Sequence, residues 1–143
     1  MSTLERALTI AATAHAGQKE RNGAPYILHP IRVMLAVVTP DERMAAVLHD
    51  VVEDTAVTFA QLRDEGFPAE VLEAVELLTH DDAEPYLDYV RRAGKHAVAR
   101  AVKMADLRDN LDVSRLPKVT DRDRERFGRY EAALALLSSG EAS

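Results

Sequence analysis

The chain contains no cysteine and no tryptophan, and aromatic residues make up only 5% of it. Without cysteine there are no disulfides and no thiolate metal sites, so any metal must be held by imidazole or oxygen donors. The lack also suits a reducing cytoplasm, the expected location. No apolar run approaches the ~20 residues that cross a bilayer, and Met1 to Glu5 lacks the basic-then-apolar order of a secretion signal. Membrane partners are therefore not expected. Excess positive charge is missing as well. The formal net charge is −6, so the overall field does not draw in nucleic acid or anionic lipid. A phosphate-bearing ligand must then be gripped by local cations. What is present, 143 residues that are 47% hydrophobic and 29% charged, is enough for one domain with its own core, expected over residues 1–143.

Strand signals are also absent, whereas helix signals recur. Ser2-Thr3-Leu4-Glu5 reads as a capping box opening a helix that ends near Gly17. His29-Pro30 starts the next, with proline at the favoured first position. Thr39-Pro40-Asp41-Glu42 opens a third with a capping threonine and acids in the first turn. Thr58 to Gln61 opens a short helix stopped at Gly66, and Pro68 begins one that runs to Leu78. Glu84 to Arg92, Lys95 to about Val113, and Asp121 to about Leu137 complete the series, with a frayed tail over 138–143. The expected fold is an all-α helical bundle of about seven or eight helices.

The third helix carries His49-Asp50-Val51-Val52-Glu53-Asp54, with a lone His29-Pro30 placed 20 residues earlier. At about 100° per residue, Glu53 falls ~40°, Asp50 ~100° and Asp54 ~140° from His49, so four ionisable groups share one arc. Met44 to Leu48 and Val51-Val52 are apolar around most of the circumference, which predicts burial. Three buried carboxylates beside a histidine repel and desolvate one another unless a cation neutralises them, and a divalent metal is the natural candidate.

A second carboxylate lies on the Lys95–Val113 helix. Val98, Val102, Asp106 and Asn110 follow at spacings of four and form one stripe, apolar first and polar after. Lys103, three residues before Asp106, is a possible partner for it, and so is a metal. Between the first two helices, a turn at Asn22-Gly23-Ala24-Pro25 follows the cationic patch Lys19 and Arg21. Arg122, Arg124, Arg126 and Arg129, interleaved with Asp121, Asp123 and Glu125, read as a solvated, ion-paired face. Tyr26 is expected to pack its ring under the loop, Tyr130 to sit in the core, and His15, His80 and His96 to act as caps or surface residues.

The ordered set His29, His49-Asp50 and Asp106 resembles the ligands of the HD metal-dependent phosphohydrolases. The wider text is Gly17-Gln18, then Gly23 through Pro30, then Leu48 through Thr55, then Val102 through Leu107 with Asn110. It is similar to the hydrolase domain of RelA/SpoT-type alarmone enzymes, and the likeness runs from His15 to about Asn110. The resemblance implies a stand-alone small alarmone hydrolase. One manganese ion is then held by His29, His49, Asp50 and Asp106, while Glu53 and Asp54 assist catalysis. Asn110 contacts the substrate, and Lys19, Arg21 and Lys103 offset its phosphate charge. The implied reaction removes pyrophosphate from the 3′ position of guanosine tetra- or pentaphosphate. One position departs from the pattern: Glu20 stands where the family usually has an arginine that helps hold the guanine base. An HD phosphohydrolase for another nucleotide, or a non-catalytic nucleotide-binding module, therefore stand as the alternative readings.

Overall fold

The computed structural model describes residues 2–139. Among these there are nine α-helical segments, no strand, and one isolated bridge between Lys19 and Pro25. The helices are α1 (Leu4–Ala14), α2 (Leu28–Leu35), α3 (Pro40–Leu48), α4 (Val51–Asp54), α5 (Phe59–Asp64), α6 (Ala69–Leu77), α7 (Tyr86–Gly94), α8 (Ala97–Asn110) and α9 (Asp121–Ser139), with a 3-10 turn at Val113–Arg115. If the single turn α4 is set aside, eight helices remain, in line with the expected all-α class.

The local signals hold where capping chemistry is strong. Thr39 accepts from Glu42 N at 3.1 Å while the Glu42 carboxylate accepts from Thr39 N at 3.0 Å, a reciprocal box. Thr58 and Gln61 repeat the arrangement at α5. Each such cap stabilises a helix by about 1 kcal/mol. His96 caps α8 by accepting from Ala99 N. Several boundaries differ from the sequence reading, α8 for one running Ala97–Asn110 and not from Lys95 to about Val113, and three changes have a clear local cause. The cap of α1 is Thr3, not Ser2, because its hydroxyl is the one that reaches Arg6 N. Helix α2 begins at Leu28, which puts Pro30 at the third position, where its missing N–H is still no loss. The third change matters most: α3 stops at Leu48. His49 donates both its backbone N–H and its ring Nδ1–H to Ala46 O, and Asp50 sits at φ −104°, ψ −4° before the chain rewinds as α4. The expected single arc is therefore two arcs. Of the tail, Ser138 and Ser139 are helical, and the remaining residues lie outside those described.

Helix α3 packs against α1, α2, α6 and α8, and all five residues from Met44 to Leu48 are buried. Burying Val47 and Leu48 stabilises the fold by about 1.5–3 kcal/mol each. A second, smaller core joins Tyr89 and Val90 of α7, Leu107 of α8, and Ala133 and Leu137 of α9. Helix α8 belongs to both: Ala105 faces the first core and Leu107 the second, with Asp106 between them.

Candidate metal centre and its cavity

Three elements bring the sequence-predicted ligands to one point. Helix α2 supplies His29, the α3–α4 break supplies His49 and Asp50, and α8 supplies Asp106. His29 Nε2 lies 2.9 Å from Asp106 Oδ1 and 3.9 Å from Asp50 Oδ2. His49 Nε2 lies 3.1 Å from Asp50 Oδ2 and 3.3 Å from Asp106 Oδ1. The break between α3 and α4 is what allows sequence neighbours His49 and Asp50 to aim at the same place, since a straight helix splays adjacent side chains by about 100°.

The donor set fits a divalent metal. His49 Nδ1 is 2.5 Å from Ala46 O, so that nitrogen carries the proton. Nε2 then turns a lone pair toward two carboxylate oxygens, and it is a buried nitrogen without a hydrogen-bond partner. His29 repeats the pattern, with Nδ1 2.7 Å from Asp109 Oδ2 and Nε2 facing Asp106. Lone pairs converging from imidazoles and carboxylates need a positive charge among them.

The remaining ionisable groups divide into inner and outer sets. Asp106 splits its carboxylate, Oδ2 going to Lys103 Nζ at 3.0 Å and Oδ1 to Asn110 Nδ2 at 3.1 Å as well as the imidazoles. One oxygen of Asp106 thus goes to the lysine, the first of the two expected partners, and the other faces the two imidazoles. Burial opposes its ionisation, but Lys103, His29 and His49 together hold it well below the usual carboxylate range. Lys103 is disfavoured by burial and held strongly charged by Asp106 and the rings of Tyr86 and Tyr89, at 5.6 and 5.1 Å. Tyr26 does pack its ring between His15 and His29, at 4.9 and 5.7 Å, but its hydroxyl also donates to Asp50.

Glu53 and Asp54 are exposed, not buried as the single-arc reading predicts, because the rewound turn carries them outward; Glu53 lines the cavity and Asp54 does not. Glu53 accepts His80 N at 2.6 Å. Its carboxyl is pushed up by partial burial and by Asp54 and Asp50. The Asp54 carboxyl is raised by burial and by Asp50, and its backbone carbonyl accepts from Gln18.

The cavity has a volume of about 410 Å³, and Lys19, Arg21, Lys103 and Asn110 all line it beside the ligand residues. Two features run against the sequence reading of the last helix. Asp123 is fully buried and pairs with both Arg21 and Arg126, and Arg126 lines the cavity; Tyr130 packs against the second core as expected while also lining the cavity. Only part of that run is a solvated face, Arg124 with Asp121 among it. Of the histidines expected as caps or surface residues, His15 does cap the C-terminus of α1 but is buried against Gln18, and His80 lines the cavity. Asp109 and Arg32 escaped the sequence analysis altogether. Their one signal was spacing, three residues beyond Asp106 and His29 respectively, hence on the same helix faces.

These charges predict how the metal-free protein responds to pH. Burial opposes the His29 charge, but Asp106 and Asp109 outweigh it and raise the pKa from 6.5 to about 9. The stabilisation this brings is complete below pH 6.5 and is lost as pH rises through about 9. Asp50 and Asp106 are depressed below 3.8, so their share is present above that value and lost as pH falls. Thermal melts in chelator should therefore decline from pH 6.5 toward 9, and a divalent metal should reverse the decline by replacing the protons. A flat alkaline profile in chelator counts against this charge assignment.

An all-helical scaffold that closes two imidazoles and two carboxylates around one point defines a metal-binding helical domain. Residues 7–111 match the family model described as the HD domain, and the chain belongs to that family. It is 36% identical over 123 residues to a guanosine-3′,5′-bis(diphosphate) 3′-pyrophosphohydrolase of Danio rerio, covering 77% of this chain and 68% of that one. It is 30% identical over 120 residues to the Aquifex aeolicus protein of the same name, covering 76% of this chain and 17% of the other. The bifunctional (p)ppGpp synthase/hydrolase SpoT of Escherichia coli is 39% identical over 89 residues, 59% of this chain and 12% of its own length. The chain thus spans less than a fifth of the length of these two bacterial relatives. Among solved structures, a chain described as a metazoan ortholog of SpoT that hydrolyzes ppGpp superposes with a TM-score of 0.76 at 25% identity. That match covers 96% of this chain and 85% of the other. No described helix is long and apolar enough to cross a membrane.

Proposed function

We propose that the domain is a manganese-dependent hydrolase that removes pyrophosphate from the 3′ position of guanosine tetra- or pentaphosphate, leaving GDP or GTP, within the cytoplasm and as a single domain. The observation that carries this reading is one cavity lined by the converged His29, His49, Asp50 and Asp106 together with Glu53 and the cations Lys19, Arg21 and Lys103. The relatives' named activity supplies the substrate class.

His29, His49, Asp50 and Asp106 hold the ion, a mixed nitrogen and oxygen set suited to manganese. When bound, the ion acidifies water and polarises the phosphorus centre. Glu53 takes the proton from the attacking water. Its raised pKa moves it toward the operating pH, and His80 N–H fixes one of its oxygens. Water adds across the bond between the 3′ oxygen and its phosphorus: the phosphorus gains the hydroxyl, the 3′ oxygen gains a proton, and pyrophosphate leaves. Asp54, raised by burial and by Asp50, is the companion acid that supports Glu53 or protonates the 3′ oxygen. Lys19 and Arg21 receive phosphate from the rim, and Lys103 contributes charge from within. Asn110 reaches substrate from the same face on which its amide steadies Asp106.

Product analysis tests the reading. Incubated with manganese and guanosine tetraphosphate, the chain should release GDP and pyrophosphate in equal amounts. Orthophosphate from a different nucleotide supports an HD phosphohydrolase of other specificity, which the unusual Glu20 favours. No turnover across a nucleotide panel supports a binding module.

A further inference from the structure

Glu20 lies in the loop between α1 and α2, directly between the two rim cations Lys19 and Arg21. Its carboxylate is not directed at a ligand, because both oxygens are taken by the Arg32 guanidinium. The other edge of that guanidinium meets Asp109 on α8, with Nε 2.8 Å from Oδ1 and Nη2 3.1 Å from Oδ2. Asp109 Oδ2 in turn accepts His29 Nδ1 at 2.7 Å. The four side chains are largely shielded, at 14%, 27%, 11% and 5% exposure in order from Glu20 to His29. Arg115 adds a second cation to Asp109, through its backbone carbonyl at 2.8 Å and Oδ2 at 3.4 Å.

We propose that Glu20, Arg32 and Asp109 are positioning residues forming a relay that fixes the tautomer and aim of His29, so that the strength of metal binding depends on a residue of the substrate loop. The inference rests on the reading of His29 as a metal ligand. A carboxylate that accepts from Nδ1 leaves the Nε2 lone pair for the metal and locks the ring. Asp109 can do this only while held itself, and Arg32 holds it with two donors on one edge of a planar fork while the other edge is anchored by Glu20. A lysine cannot span both carboxylates in this way. The relay links α1–α2 loop, α2 and α8, the same three parts that supply the phosphate cations and two of the ligands. Any change that releases Glu20 must also loosen His29, and by reciprocity metal occupancy must order the loop.

The test is manganese affinity of the full chain, measured from the paramagnetic resonance signal of free manganese during titration, without substrate. Asp109→Asn should weaken binding 10- to 100-fold, the usual cost of losing such a partner. Glu20→Gln should weaken it by about 3- to 10-fold, and the double variant should be no weaker than Asp109→Asn alone, because both act on one path. Arg32→Lys, which keeps the charge and loses the fork, should match Glu20→Gln and serves if Asp109→Asn does not fold. Glu20→Gln with wild-type affinity, or losses that multiply in the double variant, overturns the relay. Absence of manganese binding by the unmodified chain instead overturns the underlying ligand assignment.

Discussion

Glu53→Gln should lower kcat by about 100-fold or more while KM and manganese content stay near their unmodified values. The size is that of a positioned general base, about 10² to 10⁴. The substitution is well controlled by the geometry, since a glutamine oxygen can still accept from His80 N and keep the α4 turn in place. What disappears is the basic oxygen facing the cavity. The Glu53 carboxylate is engaged by His80 N and not by the converged imidazoles, so metal retention should be unaffected. In the metal-free chain the carboxyl is raised by burial, then by Asp54 and Asp50, and as the base it should give the kcat profile an acid limb. The Glu53→Gln variant should lack that limb. Steady-state kinetics across pH with metal analysis of the same samples is the measurement. A variant retaining more than a tenth of the rate removes Glu53 from the proton transfer.

Asp106→Ala should lose metal and activity together and should also destabilise the metal-free chain by about 3–5 kcal/mol, the cost of breaking a buried ion pair by deleting one partner. The cause is visible around the carboxylate. Lys103, its side chain 10% exposed, keeps Tyr86, Tyr89 and the more distant Glu53 as weaker compensation, and His29 and Asn110 lose an acceptor. His49→Ala removes a ligand without stranding a lysine, so it should lose metal with a smaller fall in melting temperature. The pair therefore separates ligation from folding. Metal content after dialysis, read beside thermal unfolding in chelator, decides the matter. Full metal content and rate in either variant means that the ion is held elsewhere.

The candidate ligand residues were legible because each sits beside a local signal. His29 precedes a helix-starting proline, His49-Asp50 follows a capped helix whose second half, Met44 to Leu48, is apolar, and Asp106 continues a four-residue stripe. Glu20 was legible only as a departure. Its neighbours explain the change, for Arg32 and Asp109 make the loop position an anchor. The burial of Asp123 was not legible. Alternating charges over 121–126 have the composition of a surface helix, and the pairing of Asp123 with Arg21 joins residues 102 positions apart. Asp109 was missed for the same reason, since its partner His29 lies 80 positions away.

By itself the sequence determined most of the helices, the stronger caps and the imidazoles and carboxylates of the candidate ligand set, because capping and periodicity act between residues three or four apart. Tertiary structure alone decided that the third helix breaks after Leu48, that Glu53 and Asp54 are exposed with only Glu53 against the cavity, and that Glu20, Arg32 and Asp109 stand behind His29. Those outcomes depend on how side chains from α2, α3 and α8 pack against one another, and no spacing along the chain encodes that distance.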